Sequence, residues 1–125
     1  MIAVLDDDEP VRKAVVRLLR SAGFTARSFA SGGELLADWV GTRPQCLVLD
    51  LQMPGTSGLD VQRSLRSSGE AVPTIVMTAS DECELLDECM AAGVSVCLKK
   101  PLECAELLAA LELIHVYRDE ERPLN

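Results

Sequence analysis

The sequence has little positive charge. Twelve lysine and arginine residues stand against 20 aspartates and glutamates, which gives a formal net charge of -8 and a pI near 4.6. A surface with this balance repels the phosphates of nucleic acids, because binding to them depends on cationic side chains. We therefore expect no direct nucleic-acid binding by this domain. Any action on DNA would need another domain or another chain.

Histidines and closely spaced cysteines are also scarce. The chain has one histidine and five cysteines, and no two cysteines form a Cys-x-x-Cys pair. Structural zinc sites need four such ligands at short spacings, so the sequence argues against that class of site. The odd number of cysteines favours reduced thiols in or near the core, as in proteins of the cytoplasm.

Long apolar runs are missing as well. No run approaches the roughly 20 residues that a membrane-spanning helix needs. The apolar stretch at residues 1–5 is short and has no basic flank, so it lacks the features of a signal peptide. We expect a cytoplasmic protein without membrane association.

What the sequence does contain is a series of short apolar runs separated by segments of helical period. Its 125 residues and 48% apolar content suffice for one domain with its own core. Residues 46–50, an apolar run that ends on Asp50, are predicted to form a central strand that is apolar on both faces. The segments between consecutive strands are long enough to form helices. Five such β-α units imply parallel strands with helices on both faces. The predicted strands are residues 2–5, 24–29, 46–50, 73–78 and 94–98.

Start and stop signals define the predicted helices. Pro10 suits the first turn of the first helix, and Gly23 suits its end. Ser31 and Glu34 form a capping-box pattern at the start of the second helix. Further helices are predicted from the loop at 54–58 to about Ser68, from Asp81 to Gly93, and around Leu107–Ile114. The predicted core-facing residues are Val11, Ala14, Val15, Leu18, Leu19 and Ala22; Leu35, Leu36, Trp39 and Val40; Leu85, Leu86, Cys89 and Met90; and Leu107, Leu108, Leu111 and Ile114.

Polar side chains follow four of the five predicted strands. They are Asp6, Asp7 and Asp8 after the first strand, Asp50 at the end of the third, Thr78 at the end of the fourth, and Lys99 and Lys100 after the fifth. The carboxyl ends of parallel strands share one edge of the sheet, which is where ligands bind in open α/β folds. Carboxylates, a hydroxyl and an ammonium at that edge predict a site for a divalent cation and a phosphoryl group.

The carboxylates predict a Mg²⁺ site, which could also accept Mn²⁺. Mg²⁺ prefers hard oxygen ligands in an octahedron and keeps several waters. Asp7 and Asp50 are the candidate direct ligands, the backbone carbonyl of Gln52 is the candidate third ligand, and Asp6 is expected to act through water. Like charges at this density are unfavourable unless a cation offsets them.

Asp50 is also a candidate nucleophile. A carboxylate that attacks phosphorus forms an aspartyl phosphate. During the transfer, negative charge spreads over the phosphoryl oxygens, where a metal ion and the ammonium of Lys100 would stabilise it. The hydroxyl of Thr78 is the candidate donor to one of those oxygens.

The combined pattern resembles the receiver domain of two-component response regulators, over essentially the whole chain. The stretches 6–12 and 50–54 are most similar to FixJ-type receivers, which are usually joined to a helix-turn-helix DNA-binding domain. The residues that carry the resemblance are Asp6-Asp7, Asp50 with Met53-Pro54 and Gly58, Thr78-Ala79, Ala92-Gly93 and Lys100-Pro101.

The resemblance implies a (βα)₅ flavodoxin-like fold with three α/β/α layers and strand order 2-1-3-4-5. It implies that Asp50 accepts a phosphoryl group from a sensor histidine kinase, that Asp6 and Asp7 hold Mg²⁺, and that Thr78 and Lys100 bind the phosphoryl group. A cis Lys100-Pro101 bond is implied too. Residues 1–118 would form the receiver, and 119–125 a tail or the start of a linker to an output domain that acts on transcription.

The sequence departs from the family pattern at two positions. Cys97 stands where the family usually carries an aromatic switch residue, and Leu102 stands where a phenylalanine commonly follows the proline.

Two helical surfaces are candidates for protein contacts. The first helix is basic on its outer face, where Arg12, Lys13, Arg17 and Arg20 lie at helical spacing. We expect a histidine kinase to dock there, near Arg12, Lys13 and Arg17. The helix from Asp81 is acidic instead, and we expect phosphorylation to promote a homodimer through this fourth helix and the fifth.

Two other functions fit parts of the pattern. A haloacid-dehalogenase-type phosphatase uses a strand-end Asp nucleophile, but its motif requires Thr or Val where this chain has Pro10. A phosphate-independent interaction module would not need every charged and hydroxyl position to be filled. A domain that phosphorylates and dephosphorylates itself, without turnover of an external substrate, is therefore the preferred interpretation.

Overall fold

A five-stranded sheet forms the centre of the computed structural model, which describes residues 1–51, 53, 58–70, 72–78 and 93–116. All strand pairs are parallel, and the order is β2-β1-β3-β4-β5. The strands are β1 (Ile2–Leu5), β2 (Ala26–Phe29), β3 (Cys46–Asp50), β4 (Thr74–Thr78) and β5 (Val96–Lys99). The predicted strand order and the parallel sheet are confirmed.

Helices cover both faces of the sheet. Those within the described ranges are α1 (Glu9–Ser21), α2 (Gly32–Ala37), α3 (Trp39–Thr42), α4 (Gly58–Ser67) and α5 (Cys104–Leu113). Alternate residues of the central strands point to opposite faces. Ile2 and Val4 pack against α1 and α5, whereas Ala3 and Leu5 pack against α2, α3 and α4. This arrangement is the predicted three-layer α/β/α architecture.

Helix α1 has the predicted residues at both ends but a slightly different buried face. Pro10 lies in its first turn, as predicted, and Gly23 follows its end with a φ of 96°, a conformation that glycine adopts without steric strain. Val15 and Leu19 are buried, but Ala14 is exposed and Val16 is buried instead. The predicted core face was therefore wrong at one position, because the buried stripe of α1 is displaced toward Val16.

The second predicted helix is broken in two at Asp38. Ser31 Oγ accepts from the N–H of Glu34, and Glu34 Oε2 accepts from the N–H of Ala30, so the predicted cap is present. The chain then turns at Asp38, which ends α2 and precedes α3. Since this turn interrupts the helical period, Trp39 is buried while Val40 is 79% exposed. The prediction that Leu36 and Val40 face the core was wrong, since Leu36 is exposed as well.

Several predictions fall outside the described residues. They are the Gln52 carbonyl, the loop before Gly58, the helix predicted from Asp81, and the tail at 119–125. The predicted cis Lys100-Pro101 bond is present. Within the part of the chain that the structure describes, none of the helices has the length and apolar character to cross a membrane.

Candidate functional site

The parallel register brings the predicted polar residues to one edge of the sheet. Leu5 of β1 lies beside Leu49 of β3, and Asp50 at the end of β3 lies beside Met77. Thr78 at the end of β4 lies beside Lys99. The residues that follow these positions therefore meet at the same carboxyl edge, with β1 and β3 at the centre of the sheet.

Asp6 is the most enclosed residue of the site, with 0% of its surface exposed. Its Oδ1 accepts a hydrogen bond from the backbone N–H of Asp8 at 2.9 Å. Its Oδ2 accepts from Nζ of Lys100, also at 2.9 Å. A buried carboxylate needs such partners, because desolvation otherwise disfavours its charged form. These two hydrogen bonds hold the Asp6 carboxylate in one orientation.

Lys100 bridges two carboxylates. Its Nζ lies 2.9 Å from Asp6 Oδ2 and 3.3 Å from Asp50 Oδ1. Partial burial of the ammonium, taken alone, would lower the pKa of Lys100. The hydrogen bond to Asp6 and the attraction of both carboxylates outweigh that burial, so that the net pKa is raised above its ordinary value. Lys100 is consequently a permanent cation at neutral pH.

Three carboxylates converge beside this cation. Asp6, Asp7 and Asp50 each offer an oxygen, and these oxygens lie within 4.8 Å of one another. Asp50 is 6% exposed, whereas Asp7 is exposed to solvent. A set made only of hard oxygen donors, carrying more negative charge than Lys100 can offset, fits a Mg²⁺ ion and does not fit a soft metal.

Thr78 is the last residue of β4 and is half-buried. Its carbonyl accepts the backbone N–H of Lys100 at 2.7 Å, so the main chains that carry the predicted hydroxyl and ammonium are joined directly. Gln52, the predicted carbonyl ligand, lies outside the described residues. The structure thus brings Asp6, Asp7, Asp50, Thr78 and Lys100 to one edge.

The sequence did not reveal that Arg12 contacts the loop that carries Asp6. Arg12 was placed on the outer face of the first helix, but it is half-buried and its Nη1 donates to the Asp6 carbonyl at 3.0 Å. No helical-period signal distinguishes an arginine that faces solvent from one that bends back to the preceding loop. Its position six residues after Asp6 was the available clue.

Comparison with known proteins supports a single family. The family model described as "Response regulator receiver domain" matches residues 2–112. The response regulator protein TodT of Pseudomonas putida is 37% identical over 111 residues, which cover 89% of this chain and 49% of TodT. Response regulator MprA of Mycobacterium ulcerans is 39% identical over 113 residues, which cover 90% of this chain and 49% of MprA. The chain spans about half the length of these curated relatives.

A solved structure gives the same result. The crystal structure of FixJ-N superposes with a TM-score of 0.83 at 31% sequence identity, and the match covers 99% of this chain and 95% of FixJ-N. The fold, the strand order and the FixJ-type resemblance of the sequence all agree with this neighbour. From the family match, the relatives and this superposition we conclude that the chain belongs to the receiver domain family of two-component response regulators.

Proposed function

We propose that Asp50 accepts a phosphoryl group from a phosphohistidine of a sensor histidine kinase, in a reaction that depends on Mg²⁺. The observation that carries this proposal is the position of the Asp50 carboxylate. It lies with Asp6 and Asp7 in a cluster whose oxygens are within 4.8 Å of one another, and 3.3 Å from the ammonium of Lys100. Acceptance of a phosphoryl group is the function of the family to which the chain belongs.

The chemical step is a nucleophilic substitution at phosphorus. An oxygen of the Asp50 carboxylate forms a bond to phosphorus while the bond between phosphorus and the imidazole nitrogen breaks. The nitrogen that leaves phosphorus keeps the electron pair of that bond, and the ring departs as neutral imidazole because its other nitrogen has taken a proton from solvent. Lys100 keeps its positive charge throughout, and its 3.3 Å distance from Asp50 supports a role in stabilising the phosphoryl oxygens.

Asp7, Asp50 and the Gln52 carbonyl are the residues that we assign to direct binding of Mg²⁺ or Mn²⁺. The assignment of Asp6 to a water-mediated role is supported by its contacts. Each of its oxygens already accepts one hydrogen bond, from Asp8 or from Lys100, and keeps a lone pair for a metal-bound water. The metal ion would neutralise negative charge on the phosphoryl group as it transfers. Thr78 would donate its hydroxyl to a phosphoryl oxygen.

We place the kinase contact on α1 beside the site. Lys13 and Arg17 are exposed there, and Arg12 is half-buried. A cavity of about 320 Å³ lies alongside, lined by the apolar residues Val11, Leu18 and Leu102 and reaching Lys100. A surface with an apolar floor and basic flanks is suited to a kinase helix that presents an apolar ridge flanked by acidic side chains.

The output of this domain is inferred from its relatives. NtrC of Salmonella typhimurium is named a DNA-binding transcriptional regulator, and it is 31% identical over 126 residues, which cover 27% of its length. We propose that this chain acts in the cytoplasm, with residues 1–118 as receiver and 119–125 as tail or linker, and controls transcription through an output domain or a homodimer. The dimer would use the last helix and the helix predicted from Asp81. The latter helix lies outside the described residues.

The proposed domain dephosphorylates itself slowly and turns over no external substrate.

The test of the proposed function is incubation with phosphoramidate and Mg²⁺, followed by mass spectrometry of the intact protein. We expect one phosphoryl group, stable in acid and labile in base, that is absent from Asp50→Asn and absent without Mg²⁺. Multiple-turnover hydrolysis of general phosphate esters would favour a phosphatase. Absence of any adduct would favour a phosphate-independent interaction module.

A further inference from the structure

The guanidinium of Arg12 contacts the acidic loop between β1 and α1. Its Nη1 lies 3.0 Å from the carbonyl oxygen of Asp6. That carbonyl belongs to the planar peptide group that joins Asp6 to Asp7. A hydrogen bond to it therefore constrains the backbone dihedral angles on both sides of the peptide, and with them the direction of the Asp7 side chain.

Asp7 has few other constraints. Its side chain is exposed, and among the residues that the structure describes, no hydrogen bond or ion pair involves its carboxylate. Asp6 is held much more firmly, since its N–H donates to the Phe29 carbonyl at 3.4 Å and its carboxylate contacts Asp8 and Lys100. The peptide group that Arg12 holds is thus the link between a fixed aspartate and an exposed one.

We propose that Arg12 is a positioning residue for the metal site, which holds the Asp6–Asp7 peptide so that the Asp7 carboxylate is directed toward Asp6 and Asp50. This inference rests on the proposed function, because it takes the acidic cluster to bind Mg²⁺. Arginine suits the role, since its planar guanidinium fixes orientation better than a flexible ammonium does.

The same helix supplies a matched control. Nη2 of Arg20 donates to the carbonyl of Ala26 at 2.9 Å, again across six positions and again in a partly buried setting. Ala26 begins β2 and lies beside Ile2, at the start of β1. This bond is therefore at the amino edge of the sheet, away from the acidic cluster. Arg20→Gln removes one charge and one bond to a backbone carbonyl, as Arg12→Gln does, but it leaves the acidic loop intact.

The first experiment is calorimetric titration of Mg²⁺ into the wild type, Arg12→Gln and Arg20→Gln, with thermal unfolding of each protein as a check on its fold. Residues that orient metal ligands typically contribute about 10- to 100-fold to metal affinity. We expect a loss in that range for Arg12→Gln and a change within about twofold for Arg20→Gln. If Arg12→Gln fails to fold, Arg12→Lys is used with the same criteria.

The second experiment separates positioning from kinase docking. Phosphoramidate presents no docking surface, so a residue that acts only in docking leaves this reaction unchanged. We expect Arg12→Gln to need more Mg²⁺ for half-maximal phosphorylation by phosphoramidate while it reaches the wild-type rate at saturating Mg²⁺. Wild-type Mg²⁺ affinity in Arg12→Gln would overturn the inference, as would an equal loss in both arginine variants. A wild type that binds no Mg²⁺ would overturn the proposed function as well.

Discussion

Lys100 and Asp6 form an ion pair at 2.9 Å although they are 94 positions apart in the chain. The pair joins the loop after the central strand β1 to the segment that follows the edge strand β5. The carboxylate of Asp6 has no exposed surface, and Lys100 and the N–H of Asp8 supply hydrogen bonds in place of water. The stability of the domain and the chemistry of its site therefore involve the same side chains.

Removal of the cation should destabilise the metal-free protein. In Lys100→Gln, the buried charge of Asp6 loses its main partner and the nearby charge of Asp50 is no longer offset. We expect the free energy of unfolding without Mg²⁺ to fall by about 2–3 kcal/mol. Lys13→Gln is the control, because Lys13 pairs with Glu9 in the solvent, so this substitution should change the free energy of unfolding far less. Urea denaturation measures both, and equal effects would contradict the expectation.

Asp7→Asn should have opposite effects with and without the metal ion. Without Mg²⁺, loss of one of three clustered charges relieves repulsion and should raise the free energy of unfolding by about 1 kcal/mol. With Mg²⁺, the variant has lost a proposed ligand, so the stabilisation gained on adding the ion should shrink. Thermal unfolding in EDTA and in excess Mg²⁺ measures the two effects. A variant that gains as much from Mg²⁺ as the wild type would remove Asp7 from the ligand set.

The buried thiol of Cys46 should make stability fall at alkaline pH. Burial raises the pKa of Cys46 from 9.0 to about 12. Between these values the thiol ionises in the unfolded chain but not in the folded one, so rising pH favours unfolding across that window. At about pH 10.5 the loss attributable to this thiol should be about 2 kcal/mol.

Cys46→Ala isolates that contribution. The comparison uses the change in unfolding free energy between neutral and alkaline pH, so the constant effect of the smaller side chain cancels. The variant should lose less stability than the wild type over this range. Identical pH dependence in the two proteins would mean that Cys46 ionises as readily in the folded state as in the unfolded one.

A buried polar pair between α4 and β4 should be sensitive to single substitutions. Thr74 Oγ1 lies 2.7 Å from Gln62 Oε1, and both residues are almost fully buried. Thr74→Val leaves the Gln62 oxygen without this donor and should cost about 1–3 kcal/mol. Thr74→Ser keeps the hydroxyl and should cost less. In a double-mutant cycle, adding Gln62→Leu to Thr74→Val should recover part of the loss, and strict additivity would contradict the coupling.

The sheet and the site edge were predictable from the sequence because both follow from local pattern and parallel topology. The run at 46–50 was predicted as a fully buried strand, and all five of its residues are buried. Asp50 and Thr78 are the last residues of their strands, as predicted. At the amino edge of the sheet, the observed strand starts differ from the predicted ones by one or two residues. For example, β2 begins at Ala26 instead of residue 24.

The failures occurred where tertiary contacts override periodicity. A pattern that places Trp39 and Val40 on one helical face does not reveal the turn at Asp38, after which Trp39 is buried and Val40 is exposed. Arg12 matched the basic outer face of a helix, yet its guanidinium reaches back to the Asp6 carbonyl. Helical spacing specifies where a side chain leaves the backbone, whereas a long flexible side chain is directed by its acceptors.

Chemical mapping of the phosphorylated residue identifies the phosphoryl acceptor directly. The protein is treated with phosphoramidate and Mg²⁺, reduced with borohydride, which converts an aspartyl phosphate to homoserine, and digested for peptide mass spectrometry. We predict homoserine at position 50 alone, and none when Mg²⁺ is replaced by EDTA. Homoserine at position 6 or 7, or its absence from position 50 in a phosphorylated sample, would contradict the assignment of Asp50 as the phosphoryl acceptor.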